Sequence, residues 1–196
     1  MTEHSISTAD KILSVAINLM SEKGFKAVST KEIAKAASVS EMTIFRTFGT
    51  KKNILDEAVN KYYYSSPLTK LFEEQIKWEL AHDLQMISKA YLELMSRNRE
   101  VFLIALMERN TLPEMNEKLT AHPLKLKEMY IEYFKTMQQK GKVIKGDPEA
   151  QAWAVMNVSF GRFVSDIISS GLVKQLPFED FVASTVYILV RGLTPE

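Results

Sequence analysis

From Thr8 to Phe48 the apolar residues recur at helical spacing, in three stretches separated by small polar residues. Ala9, Ile12, Leu13, Ala16 and Met20 form one stripe, which predicts a helix from Thr8 to Lys23, capped by Thr8 and ended by Gly24. Ser29 predicts the next helix start. Glu32, three residues on, completes a capping box, and Ile33, Ala34 and Ala37 share a buried face. Ser38-Val39-Ser40 breaks the pattern, with Val39 as the apolar plug of a tight turn. Ser40 caps a third helix in which Ile44 and Phe48 fall inward at 3.6 residues per turn, while Met42, Thr43 and Arg46 point the other way. Phe45 reads equally well as a second core residue or as an exposed wedge. Gly49 stops this helix. Thr50 caps a fourth, running from Lys51 to about Ser65, with Ile54, Leu55, Ala58 and Tyr62 as inward candidates.

The remainder is also helical in pattern. Ser65-Ser66-Pro67 marks a junction, and residues 67 to 98 read as one or two helices. Another helix is expected from Glu100 to about Asn110, and a short one from Glu114 to Leu119. A further helix opens at His122-Pro123 and closes at Gly141. Gly146-Asp147-Pro148-Glu149 is the strongest late start signal, with an N-cap Asp, Pro at the first helical position and Glu in the first turn. That helix should reach about Ser170 and stop at Gly171. Pro177 opens the last, with Phe178, Phe181, Val182, Val186 and Leu189 at helical spacing. The expected fold is all-α, with about nine helices. Composition agrees: 46% of residues are hydrophobic, and seven glycines and six prolines are too few for a turn-rich β fold.

Two short helices joined by a tight turn place the second where it can enter a groove of duplex DNA. Charge distribution supports this modestly. Through Lys52 eight cations face five anions, a balance of +3, while the remainder carries −2. Glu41, Met42, Thr43, Phe45 and Arg46 are the recognition-helix candidates. Arginine can take guanine O6 and N7 together, and threonine can touch a thymine methyl. Lys31, Ser40, Thr47, Lys51 and Lys52 are the phosphate candidates; the two adjacent lysines sit at a helix start that the dipole alone would not favour.

These motifs resemble those of the tetracycline-repressor-like (TetR/AcrR) transcriptional regulators. The resemblance lies in Gly24-Phe25, Ser29-Thr30, Ile33-Ala34, Val39-Ser40, Thr43-Ile44-Phe45-Arg46-Thr47-Phe48 and Lys51, and covers roughly residues 8 to 60. Two positions depart from the family pattern: Ser38 where glycine is common in the turn, and Thr47 where tyrosine or histidine is usual. The resemblance implies a helix-turn-helix DNA-binding domain over 1–50 and a helical ligand-binding and dimerisation domain over 51–196. It also implies a homodimer on double-stranded DNA, repression, and a small-molecule effector of unknown identity held in a body cavity.

The aromatic and methionine residues of the body read either as ordinary core or as the lining of a cavity for an apolar or aromatic ligand. The ligand candidates are Trp78, Tyr91, Phe102, Met107, Tyr130, Phe134, Trp153 and Asn157. Small residues beside large apolar ones in the last two helices suit a two-fold interface, with Ala154, Val158, Gly161, Arg162, Phe181, Thr185 and Tyr187 as candidates.

Other functions find less support. The three histidines are scattered and cysteine is absent, so no metal-ligand spacing, thiolate chemistry or disulfide framework is present. No phosphate-cradling loop or nucleophile elbow occurs, so neither an enzyme nor a cofactor is expected. The alternative is a helical scaffold or partner-binding protein whose helix-turn-helix is purely structural. No apolar run reaches the roughly 18 residues of a membrane span, and the N-terminus lacks a signal-peptide pattern. A cytoplasmic protein without a membrane partner is expected.

Overall fold

Ser7, one residue earlier than expected, starts the first helix: its hydroxyl accepts the Asp10 N–H at 3.1 Å. The structure is a computed structural model that describes residues 7–63, 67–169, 172 and 174–196. The described residues form ten helices, against about nine expected. They are α1 (Thr8–Lys23), α2 (Thr30–Ala37), α3 (Glu41–Phe48), α4 (Lys51–Tyr63), α5 (Pro67–Glu74), α6 (Leu80–Arg97), α7 (Arg99–Glu108), α8 (Pro113–Gln139), α9 (Pro148–Ser169) and α10 (Phe178–Leu193). The expected break at Ser65-Ser66, the stop at Gly171 and the side chain of Tyr62 lie outside the described residues.

The early boundaries follow local chemistry. Ser29 accepts the Glu32 N–H at 3.1 Å, as a cap should. The Glu32 carboxylate, however, turns chiefly to Lys23 at 2.5 Å, and the Ser29 N–H is a lesser partner. That pairing holds Glu32 below its ordinary pKa and Lys23 above it. Ser38 adopts the left-handed conformation (φ 56°, ψ 45°), and the Val39 N–H closes onto the Ala34 carbonyl at 3.0 Å, a Schellman-type end to α2. Thr50 caps α4 through the Asn53 N–H at 3.1 Å, and the Asn53 amide reaches back to the Phe48 carbonyl at 2.8 Å.

The later chain departs from expectation at one place. The two helices expected on either side of His122-Pro123 are a single helix, with Pro123 inside α8. Proline removes one backbone donor and disfavours the preceding turn, but the pattern of buried residues after it (Leu126, Tyr130, Tyr133, Phe134, Met137) runs at helical spacing and supplies the packing that propensity lacks. Asp147 caps α9 as expected, accepting the Glu149 N–H at 2.9 Å. No described helix is long and apolar enough to cross a membrane.

The chain divides into two compact units that do not follow chain order. One comprises Met1–Ser65 with Arg97–Leu119, the other Ser66–Ser96 with Thr120–Glu196. In the first, α1 packs on α2, α4 and α7, and α3 packs on α2 and α4. Its core holds Ile12, Ala16, Met20, Val28, Ile33, Ile44, Ile54, Val59 and Ile104, with Val39 and Phe25 packed against it. In the second, Phe72, Tyr130, Tyr133 and Phe134 form an aromatic cluster, with ring centroids 5.3–6.5 Å apart. Gln138 and Gln151 hydrogen-bond each other and bind the carbonyls of Gly146 and Ile144, which fixes the loop before α9.

Ser38 gives this fold a test. Relief of the left-handed conformation is worth about 1–2 kcal/mol, and glycine's extra backbone entropy takes back about 0.5–1 kcal/mol. Ser38→Gly should therefore raise stability by roughly 0.5 kcal/mol, read as a rise in urea midpoint at constant slope.

Candidate functional site

α3 is a two-turn helix with divided faces. Ile44 is 1% exposed and Phe48 4%, both inside the core of the first unit. Met42 is 70% exposed and Phe45 68%, with Glu41, Arg46 and Thr47 also on the surface and Thr43 half-buried. Phe45 is thus the exposed wedge of its two readings. A phenyl ring and a thioether held in water beside a guanidinium mark a face built for contact rather than for folding.

The hydroxyls near α3 are partly engaged. Ser40 accepts the Thr43 N–H at 3.0 Å and lies 2.9 Å from the Thr43 hydroxyl, while Thr47 donates to the Thr43 carbonyl at 2.8 Å. An oxygen in such a bond keeps lone pairs but turns its proton inward. Lys31 and Lys52 lie on the surface.

Lys51 is placed differently. Its ammonium donates to the carbonyls of Phe25 and Val28, each at 2.6 Å, leans toward that of Lys26 at 3.5 Å, and sits 4.4 Å from the centre of the Phe25 ring. Desolvation holds this ammonium below its ordinary pKa, with the Glu108 carboxylate acting in the opposite sense. An ammonium has three donors, so Lys51 is committed to the loop between α1 and α2. From the other side, buried Glu108 of α7 accepts the Phe25 N–H at 2.9 Å and receives the Thr111 hydroxyl. Gly24 completes the clasp: its φ is +85°, and a Cβ there would stand 3.3 Å from the Glu108 carboxylate. A lysine and a glutamate thus grip the loop of residues 24–29, and the loop sets the start of α2. Sequence reading missed Glu108 because its partner lies 83 residues away, with no local signal.

The second unit holds a cleft of about 380 Å³, within the range of small-molecule sites. Phe72, Ile76, Trp78, Met129 and Tyr133 form its apolar walls, and Glu73, Glu128, Glu132 and Lys125 stand at its polar edge. The wall is built around buried Asp83. Its carboxylate accepts the N–H groups of Lys77 (3.0 Å) and Glu79 (2.9 Å) and the Tyr133 hydroxyl (3.0 Å). Burial, followed by Asp83, pushes the Tyr133 phenol up. Between the two tethered amides, Trp78 takes φ 60°, uncommon for a bulky residue, and its ring stacks on Tyr133 at 5.7 Å. Of the ligand candidates only Trp78 lines this cleft. Tyr130 and Phe134 are core, Tyr91 is half-buried, and Trp153 and Asn157 are on the surface; Phe102 and Met107 belong to the first unit. The acidic edge was not anticipated. Its available signal was Glu128 and Glu132 at i, i+4, a like-charge spacing that a helix does not favour on its own.

Of the interface candidates, Ala154, Val158, Gly161 and Tyr187 are exposed, and Arg162, Phe181 and Thr185 are half-buried. The Arg162 guanidinium lies 5.2 Å over the Phe181 ring and pairs with Asp166 at 3.0 Å. A Cβ on Gly161 would meet nothing within 4 Å. Among the described residues no three His, Asp or Glu side chains gather as metal ligands.

Residues 12–58 match the family model described as "Bacterial regulatory proteins, tetR family". The chain is 29% identical over 189 residues to the uncharacterized HTH-type transcriptional regulator YvkB of Bacillus subtilis, covering 96% of this chain and 98% of that protein. Its fold is similar to that of the ketosteroid transcriptional regulator KstR2 of Mycobacterium tuberculosis, with a TM-score of 0.75 at 16% identity, covering 98% of each chain. A Saccharomonospora viridis protein solved in complex with choline also superposes with a TM-score of 0.75, at 19% identity over 96% of this chain and 98% of that one.

The clasp yields a stability test. Lys51→Met leaves the Phe25 and Val28 carbonyls without their donor and should cost about 1–3 kcal/mol, with faster amide exchange confined to the loop between α1 and α2. Lys52→Met, one residue on and at the surface, should stay within about 0.5 kcal/mol of wild type in the same denaturant titration.

Proposed function

Given that the chain belongs to the tetR family of bacterial regulatory proteins and is a DNA-binding transcriptional regulator rather than an enzyme, we propose that it binds a near-palindromic operator as a homodimer. In this reading it represses from that site and leaves it when a small effector occupies the helical body. The observation that carries the reading is the divided α3, with Ile44 and Phe48 in the core and Met42, Phe45 and Arg46 in water. Residues 1–50 then form the DNA-reading part and 51–196 the effector and dimer part, with α4 and α7 also packed on α1.

In this mechanism the dimer sets two copies of α3 in successive major grooves, roughly 34–36 Å apart. Arg46 and Thr43 meet base edges, Met42 and Phe45 pack on sugar or thymine methyls, and Glu41 lies at the positive end of the α3 dipole. Lys31, Lys52, Ser40 and Thr47 hold phosphates and fix the register. Lys51 contributes by holding the loop between α1 and α2, and its charge is already used there.

The second copy is supported by the outer side of α9 and α10. Val158, Phe160, Ile168, Tyr187 and Ile188 are exposed apolar residues, and the space above Gly161 is open to a neighbouring helix. One head alone buries too little surface on DNA for strong discrimination, which a pair supplies. The effector acts by linkage. It shifts the protein away from the DNA-binding form by no more than its differential affinity for the two forms. Proteins of this fold carry names as different as a ketosteroid regulator and a choline complex, so the fold does not choose the effector. A regulator of this kind works where the chromosome is, in the cytoplasm.

Three measurements test the reading. Arg46→Ala should cost about 1–3 kcal/mol on the selected operator and relax preference at one base pair in a bound-pool selection; an unchanged profile would make Arg46 a phosphate contact. Lys31→Ala should flatten the salt dependence by roughly one unit per half-site, whereas Lys51→Met should weaken all sequences with the slope unchanged. Val158→Glu should give folded monomers in sedimentation, and intact dimers would move the interface off α9.

A further inference from the structure

We propose that the cleft of the second unit binds an organic cation with an apolar body, an arylalkyl or quaternary ammonium. The inference deepens, and rests on, the reading of this unit as the effector-binding part. Three observations point to this ligand class. The walls are mostly aromatic, from Phe72, Trp78 and Tyr133, and ring faces attract cations and apolar groups but supply no donor to an anion. The Tyr133 hydroxyl is already given to Asp83 and the Thr136 hydroxyl to the Glu132 carbonyl, so Lys125, the Thr69 hydroxyl and the Trp78 indole N–H are the lining donors left for a carboxylate or a phosphate.

The charge at the edge has the complementary sign. Among the lining side chains, Glu73, Glu128 and Glu132 stand against Lys125. Glu132 is paired with Lys135, but Glu73 and Glu128 have no ion-pair or hydrogen-bond partner among the described residues. Third, the Trp78 ring already accepts a cation: the Lys140 ammonium, which is not part of the cleft lining, lies 5.4 Å from its centre. Trp78 itself is fixed before any ligand arrives, by the two amides tethered to Asp83 and by the Lys142 ammonium on its carbonyl at 2.8 Å. A preformed ring and two unpaired carboxylates over an apolar floor select positive charge joined to hydrocarbon.

The test compares three probes of matched shape: benzyltrimethylammonium, its uncharged carbon isostere neopentylbenzene, and phenylacetate. Calorimetry measures affinity on the full chain. Quenching of Trp78, in a Trp153→Phe background where it is the sole indole, locates the binding. The cation should bind about tenfold or more tighter than the isostere, and phenylacetate should not compete. Glu73→Gln with Glu128→Gln should cut the cation's advantage severalfold while leaving the isostere's affinity and the melting temperature unchanged, since both carboxylates are on the surface. Equal affinity for the charged and uncharged probes, tighter binding of phenylacetate, or a cation preference undiminished by the double substitution would overturn the proposal. Operator binding is measured separately with the same probe. Cation binding at Trp78 without release of DNA would overturn the effector reading and leave the specificity of the cleft standing. Release that persists in the double variant would place the effector elsewhere and overturn the link between the two.

Discussion

Burial of Ile44 and Phe48 governs the first unit. Two large side chains four residues apart, each nearly inaccessible to water, dock α3 against α2 and α4 and leave one rotation of that helix about its axis. A rotation of one residue, 100°, would expose hundreds of square ångströms of apolar surface between them, at roughly 25 cal/mol per Å². The outward direction of Met42, Phe45 and Arg46 is therefore a by-product of packing and needs no interaction of its own. The turn before α3 serves the same end. Ser38 accepts a left-handed backbone, and Val39 returns to the core, so that α3 begins at a fixed angle.

Docking one helix is not enough if the loop before its partner drifts. The clasp on residues 24–28 meets this need with long-range contacts, from Lys51 on one side and Glu108 on the other. Both charged groups are drawn into the protein and both are hydrogen-bonded there, the condition under which partial burial of charge is tolerated. It also explains why α7, remote in sequence, belongs to the same compact unit as the first four helices.

Much of this was legible in the chain. Caps at Ser29, Ser40 and Asp147, the stop at Gly24 and the apolar stripes gave α1, α2, α3 and the start of α9, because each depends on residues within four positions of one another. Legibility failed where the deciding partner was distant. Pro123 reads locally as a start signal, but the buried residues after it carry the helix through. Lys51 reads locally as a helix-start cation facing phosphate, yet its partners are carbonyls more than twenty positions earlier. The cleft was least visible of all, since Trp78 gains its meaning from Asp83 and Tyr133, and no periodicity announces a tryptophan held at positive φ.

Because Met42, Phe45 and Arg46 lie outside the core, their identities contribute little to whether the chain folds. A lineage can exchange them one at a time without passing through an unstable intermediate. In the proposed reading, where these residues meet DNA, address and architecture are separately heritable: copies of such a gene are free to drift toward new promoters while the scaffold beneath stays under its own selection.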